Sequence, residues 1–161
     1  MAELKQLYES GKFDQIFTSD DSYLPKDAQG NFISEQEKSD VVHDLLAFLA
    51  EQMLEMNRAK QSEIKGFLGW LEGEVGAKVE ELTPKTKVQE YYKLQFDELL
   101  AILKKNKRKI AIDPARREPQ ERLRAEFDAS VDKLKPLMER IAETDRLIDR
   151  IVYRLYGLIE E

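Results

Sequence analysis

The chain has 161 residues, one ordinary domain's worth, and at that length folding buries about 70% of the unfolded surface, so the core needs no disulfide or metal. No cysteine and one histidine exclude a structural zinc site, an iron–sulfur cluster, a thiol nucleophile and a disulfide scaffold. A hydrophobic fraction of 42%, a charged fraction of 36%, 7 Gly, 5 Pro and a net charge of −6 fit amphipathic helices better than a β-sandwich or a disordered tail.

Residues 3–17 read as one or two short helices with Leu4, Leu7, Tyr8, Phe13, Ile16 and Phe17 as apolar positions. TSDDSYLPKDAQGNFI (18–33) is dense in turn formers and reads as a loop. Ser34 opens the next helix, with Glu37 at capping-box spacing. Val42, Leu46, Leu49, Met53 and Met56 follow in steps of 4 and 3, a heptad seam. Lys60 interrupts the seam, and Ile64, Phe67 and Leu71 resume it. Gly66, Gly69, Gly73 and Gly76 weaken the end of this helix, which should fade between Gly69 and Gly76. From 35 to 72 it would be about 57 Å long, which favours a coiled-coil-like hairpin.

Thr83-Pro84 is the next start, with Pro84 at the first helical position and Val88, Tyr92, Phe96, Leu99 and Leu103 as its stripe. Asp113-Pro114 stops and restarts the chain. The last helix begins near Pro119. Its seam is Phe127, Val131, Leu134, Met138, Ile141, Asp145, Ile148, Val152, Leu155 and Ile159, and Pro136 should kink it. Strand signals are poor. The expected fold is therefore all-α: a long antiparallel coiled-coil-like helical hairpin or bundle with a shorter third helix. Residues 1–33 form a short N-terminal helix and loop, and 34–161 the helical domain. No apolar run approaches the roughly 20 residues of a membrane span, and MAELKQLYESGKF lacks signal-peptide order. A soluble cytoplasmic protein without membrane contact is expected.

Charge is unevenly spread. Residues 1–84 carry 8 Lys/Arg against 17 Asp/Glu, residues 85–124 carry 12 against 6, and residues 125–161 carry 6 against 9. Lys104, Lys105, Lys107, Arg108 and Lys109 fall within six positions, with Arg116 and Arg117 soon after. Clustered cations are the footprint of a polyanion contact. They also offset a helix dipole at its C-terminus, and the acidic first half opposes tight unaided DNA binding.

Other constellations read as structural. His43 has Asp40 three residues before it, but one His cannot furnish a di-iron bundle site. Ser39, His43 and Asp44 lie on one helix and cannot converge as a triad. Asp145 and Asp149, flanked by Arg146 and Arg150, fit a register-setting role. Trp70, Tyr91 and Tyr92 have helical core spacing, although such rings can stack on bases. Neither G-x-x-x-x-G-K nor G-x-G-x-x-G occurs. No catalytic residue, metal site or cofactor is assigned.

The ending TDRLIDRIVYRLYGL (144–158) resembles the closing signature of adenine-specific DNA methyltransferases of the bifunctional type IIG restriction–modification family. Ile148, Asp149, Val152, Tyr153, Leu155, Tyr156, Gly157 and Leu158 match it, while Ile159 replaces the usual threonine. SDVVHDLLAFLAEQMLEMN (39–57) and EIKGFLGWLEGEVGAKVEELTPKTK (63–87) are similar to the helical tail of those enzymes. The family's catalytic Asn/Asp-Pro-Pro-aromatic motif is missing here, and Asp113-Pro114-Ala115-Arg116 does not replace it. The resemblance therefore implies a non-catalytic module that braces target recognition and works with a methyltransferase or restriction core on the same or another chain. DNA-backbone contacts would come from Lys104, Lys105, Lys107, Arg108, Lys109, Arg116 and Arg117. The alternative is a structural coiled coil for protein–protein assembly, a homodimer included, with Val42, Leu46, Leu49 and Met53 or the 127–159 seam facing the partner.

Overall fold

The computed structural model describes residues 1–18 and 39–155. They form six α-helices: α1 (Ala2–Glu9), α2 (Phe13–Thr18), α3 (Ser39–Val75), α4 (Lys85–Gln89), α5 (Phe96–Lys105) and α6 (Arg117–Leu155). Among the described residues there is no strand, and no helix is long and apolar enough to cross a membrane. The fold is all-α, an antiparallel helical hairpin and bundle. The loop from residue 19 on, the Ser34/Glu37 box and Ile159 lie outside the described residues. The chain divides into two compact units, Met1–Met56 with Arg140–Glu161, and Asn57–Glu139. In the first of these, α1 and α2 share a core with the first part of α3.

In the first unit, Leu4 and Tyr8 lie four apart on one face of α1. With Ile16 of α2 they pack on Val42, Leu45 and Leu49 of α3 and on Leu147 and Ile151 of α6. The α1–α2 turn is made by Gly11 at φ 73°, a left-handed geometry that favours glycine. Arg140 fastens it. Its guanidinium lies 4.3 Å from the centre of the Tyr8 ring and 4.6 Å from that of Phe13, and it donates to the Tyr8 carbonyl.

In the second unit, Ile64, Phe67, Leu71 and Val75 of α3 face Leu123, Phe127 and Leu134 of α6, with Val88, Tyr91, Phe96, Leu99 and Leu103 completing the core. Glu74 pairs with Arg122 at 2.7 Å and Glu63 with Lys133 at 3.7 Å, so the two segments run antiparallel. Here α3 runs to Val75, inside the stretch from Gly69 to Gly76 where it is expected to end. Gly66, Gly69 and Gly73 are exposed, and each costs about 1 kcal/mol against alanine. The buried Phe67, Leu71 and Val75 each return about 1.5–3 kcal/mol, so packing wins. Gly76 ends the helix at φ 72°, its N–H bonding the Glu72 carbonyl at 2.9 Å.

The stripe expected from Pro84 to Leu103 is not one helix. Pro84 is the N-cap of the five-residue α4 rather than its first helical residue. Leu94 and Gln95 are extended, and α5 starts anew where the Gln95 N–H bonds the Glu98 carboxylate at 2.7 Å. The break buries Tyr91 in place of Tyr92. Lys60, which interrupts the seam of α3, is half-buried with its ammonium 5.4 Å from the centre of the Tyr92 ring.

The seam of α6 departs from expectation at Asp145 and in the polar residues beside it. Phe127, Leu134, Ile141 and Ile148 face inward, wholly or in part, as spaced. Val131 and Met138 are partly buried against the core of the second unit, also as spaced, whereas Asp145 is exposed and Ser130 and Thr144, beside the seam, are buried. Two polar residues of α6 are thus buried, and each meets a tyrosine hydroxyl: Ser130 with Tyr91 at 2.6 Å and Thr144 with Tyr8 at 2.9 Å. Apolar spacing alone passes over Ser130 and Thr144 because it scores Ser and Thr as surface. No buried side-chain nitrogen or oxygen among the described residues lacks a partner, as burial of polar groups requires. Helix α6 continues through Pro136, which is exposed, so water can take up the carbonyl that the missing N–H leaves free.

Candidate functional site

One end of the second unit gathers the last turn of α3, the segment 76–89, the end of α5 and the start of α6. Asn106, 4% exposed, organises it. Its side-chain oxygen accepts the Thr83 N–H at 3.0 Å, and its amide nitrogen donates to the carbonyls of Thr83 at 2.9 Å and Ile102 at 2.8 Å. That side chain caps α5 and holds the stretch of chain leading into α4 beside it. Lys109 donates to the Glu81 carbonyl at 3.0 Å, and the Ala111 N–H to that of Val75 at 2.7 Å. Asp113 accepts the Ala115 N–H at 3.0 Å and lies 3.8 Å from the Lys107 ammonium, folding the loop back before α6 begins.

All seven cations that the sequence singles out are exposed on this frame. Lys107 and Arg117 have carboxylate neighbours, Asp113 and Glu121, and Lys109 is held by a carbonyl. Lys104, Lys105, Arg108 and Arg116 form no ion pair among the described residues. Arg122 and Arg124 are different. Arg122 is held at 2.7 Å by both Glu74 and Glu118, and the hydrogen bond to Glu74 first of all raises its pKa above the ordinary guanidinium value. Arg124 pairs with Asp97 and lies over the Phe96 ring. Spacing along the chain does not separate these two groups; the fold does. What sequence reasoning missed is Asn106 and, through it, Lys85 and Lys87 on α4, which are exposed and also form no ion pair among the described residues. The signal was present only as the left edge of the basic stretch.

The other constellations do not assemble. His43 and Asp44 are exposed in the first unit, and the side chains of Ser39 and Asp40 lie outside the described set. Asp145 and Asp149 are exposed. No group of three His, Cys, Asp or Glu among the described residues is placed to hold a metal ion. Tyr91 and Phe67 are core residues, and Trp70 and Tyr92 are half-buried against that core. A cleft of about 340 Å³ in the first unit is lined by Phe13 and Leu147, with Arg146 and Arg150 facing Asp14 and Glu143. Its charges are balanced.

A family model described as a domain of unknown function, DUF8810, matches residues 35–152. The chain belongs to that family. No curated protein and no solved structure matches it. The DUF8810 match takes in most of both long helices and the whole basic end, whereas α1 and α2 precede it. Of the methyltransferase-like signature, Ile148, Asp149, Val152, Tyr153 and Leu155 lie on α6, and Tyr156, Gly157 and Leu158 lie outside the described residues.

Proposed function

We propose that this chain is a cytoplasmic, non-catalytic helical module of a DNA restriction–modification system that contacts the DNA backbone through the basic end of its second unit. The observation that carries the reading is the set of exposed cations without ion pairs among the described residues, Lys104, Lys105, Arg108 and Arg116, mounted on a segment that the buried Asn106 holds in place. Cations that only balance their own helix surface are expected to find carboxylates, as Arg122 and Arg124 do. The contact neutralises phosphates and so positions without reading sequence. The resemblance of residues 144–158 to type IIG methyltransferases supplies the system, whose catalytic core lies elsewhere.

The test is binding of the full chain to a mixed-sequence DNA duplex at several salt concentrations. Replacing Lys104, Lys105, Arg108 and Arg116 by alanine lowers the slope of log affinity against log salt by about 0.9 for each phosphate no longer neutralised. An unchanged slope removes the DNA role. Assembly is the second reading, favoured by Leu54, a large apolar side chain left 60% exposed on α3. Val42 and Leu49 are buried within the first unit, so a partner would have to use another face. A mass that rises with concentration, together with no DNA affinity, would move the conclusion to assembly.

A further inference from the structure

We infer that the basic end of the second unit is a two-segment cradle for double-stranded DNA, in which Lys85 and Lys87 of α4 extend the face begun by Lys104–Lys109, and that it holds duplex in preference to single strands. The inference rests on the polyanion reading above and adds the second segment and the form of the nucleic acid.

The argument starts from charge. Residues 76–89 and 104–117 are separated in sequence by α5 and the turns before it, but the fold sets them side by side. Together they carry 10 Lys/Arg against 3 Asp/Glu, in a chain whose net charge is −6. The joint is specific. Both backbone polar groups of Thr83 bond to the side chain of Asn106, at 3.0 and 2.9 Å. Lys85 is two residues beyond one side of this joint, and Lys104 and Lys105 are two residues and one residue before the other. The Lys109 bond to the Glu81 carbonyl closes the same seam again. Cations borne on two segments can meet phosphates on both sides of a groove, whereas a single helix end meets one run of them.

The choice of duplex follows from what the end lacks. Sites for single strands combine a cationic groove with aromatic platforms, each stacked base contributing about 1–3 kcal/mol. Neither 76–89 nor 104–117 contains a Phe, Tyr or Trp. The nearby rings are committed: Tyr91 and Phe96 are buried, and Tyr92 lies under Lys60. What is left is a surface that reads charge and spacing, and duplex DNA presents the denser phosphate array.

The full chain is titrated against a mixed-sequence duplex and a mixed-sequence single strand of the same length, by fluorescence anisotropy between about 50 and 200 mM salt. Lys85→Ala/Lys87→Ala is compared with Lys104→Ala/Lys105→Ala, and Trp70 fluorescence confirms that each variant is folded. Wild type binds duplex more tightly than single strand. The α4 pair lowers the duplex slope by about 1.8, so wild type loses about 12-fold more affinity than the variant across that range. If the α5 pair lowers the slope and the α4 pair does not, the two-segment cradle is wrong and the polyanion reading stands. If neither pair lowers it, the polyanion reading itself falls. Equal or tighter binding of the single strand overturns the duplex preference.

Discussion

Replacing Asn106 by alanine tests the joint on which the basic end depends. The substitution removes three hydrogen bonds, to the Thr83 N–H and to the carbonyls of Thr83 and Ile102. Each contributes about 1 kcal/mol net, and a buried partner left without a bond costs more. Two facts set the size. Thr83 is exposed, so water can serve its two groups once the amide is gone. The Ile102 carbonyl keeps its bond from the Asn106 backbone N–H at 3.1 Å. The expected loss is therefore about 2–3 kcal/mol rather than the larger cost of orphaned buried groups. Trp70 is the single tryptophan and packs on the core of the second unit, so its fluorescence in a urea titration follows that unit. With a slope of about 2 kcal/mol per M, the midpoint should fall by about 1–1.5 M. A fall of less than about 0.3 M would refute the reasoning, because Asn106 would then be an ordinary surface residue of a turn. Asn106→Asp is the control: it retains the acceptor for the Thr83 N–H but turns an anion toward two carbonyls, and at neutral pH should be at least as damaging.

Two further outcomes follow from the same packing. Gly76→Ala should destabilise the second unit by about 1–3 kcal/mol in the same titration. The position needs φ 72°, and an added Cβ would lie 2.7 Å from the Cβ of Ala111; Ala111→Gly on that background should recover only part of the loss, since it relieves the clash and not the dihedral. Burial, partly opposed by the hydrogen bond to Ser130, pushes the Tyr91 phenol from 10.0 up to about 12. The unfolded chain then releases this proton first, so stability should hold below about pH 10 and decline between about pH 10 and 12. Tyr91→Phe should flatten that decline when stability is measured against pH, and an identical decline in the variant would show that Tyr91 is not its source.

The two long helices were legible because their apolar residues recur every three or four positions over many turns, a signal that no single residue can spoil. The seam of α6, Phe127, Val131, Leu134, Met138, Ile141 and Ile148, was legible for the same reason. The buried polar positions beside it were not. Ser130 and Thr144 are polar in any linear reading, and they become core residues only because Tyr91 and Tyr8, far away in sequence, bring hydroxyls to them. The middle of the chain was misread for a related cause: Leu94 and Gln95 have nothing in their composition that forbids a helix. The basic cluster could be found by counting charges, but counting could not separate Arg122, taken up by Glu74 across the bundle, from Lys104, which has no ion pair among the described residues.

The sequence by itself determined the class of this protein: helical, without thiols, with two long amphipathic stretches and a cationic middle in an acidic chain. Those properties are sums over neighbours in the chain, and periodicity and composition record such sums directly. Tertiary structure decided the partner of each polar group, the burial of Ser130 and Thr144 on α6, and the meeting of α4 with the end of α5 at Asn106. Each depends on a pair of residues more than twenty positions apart, and a hydrogen bond between such residues has no local signature until the backbone has brought them within about 3 Å.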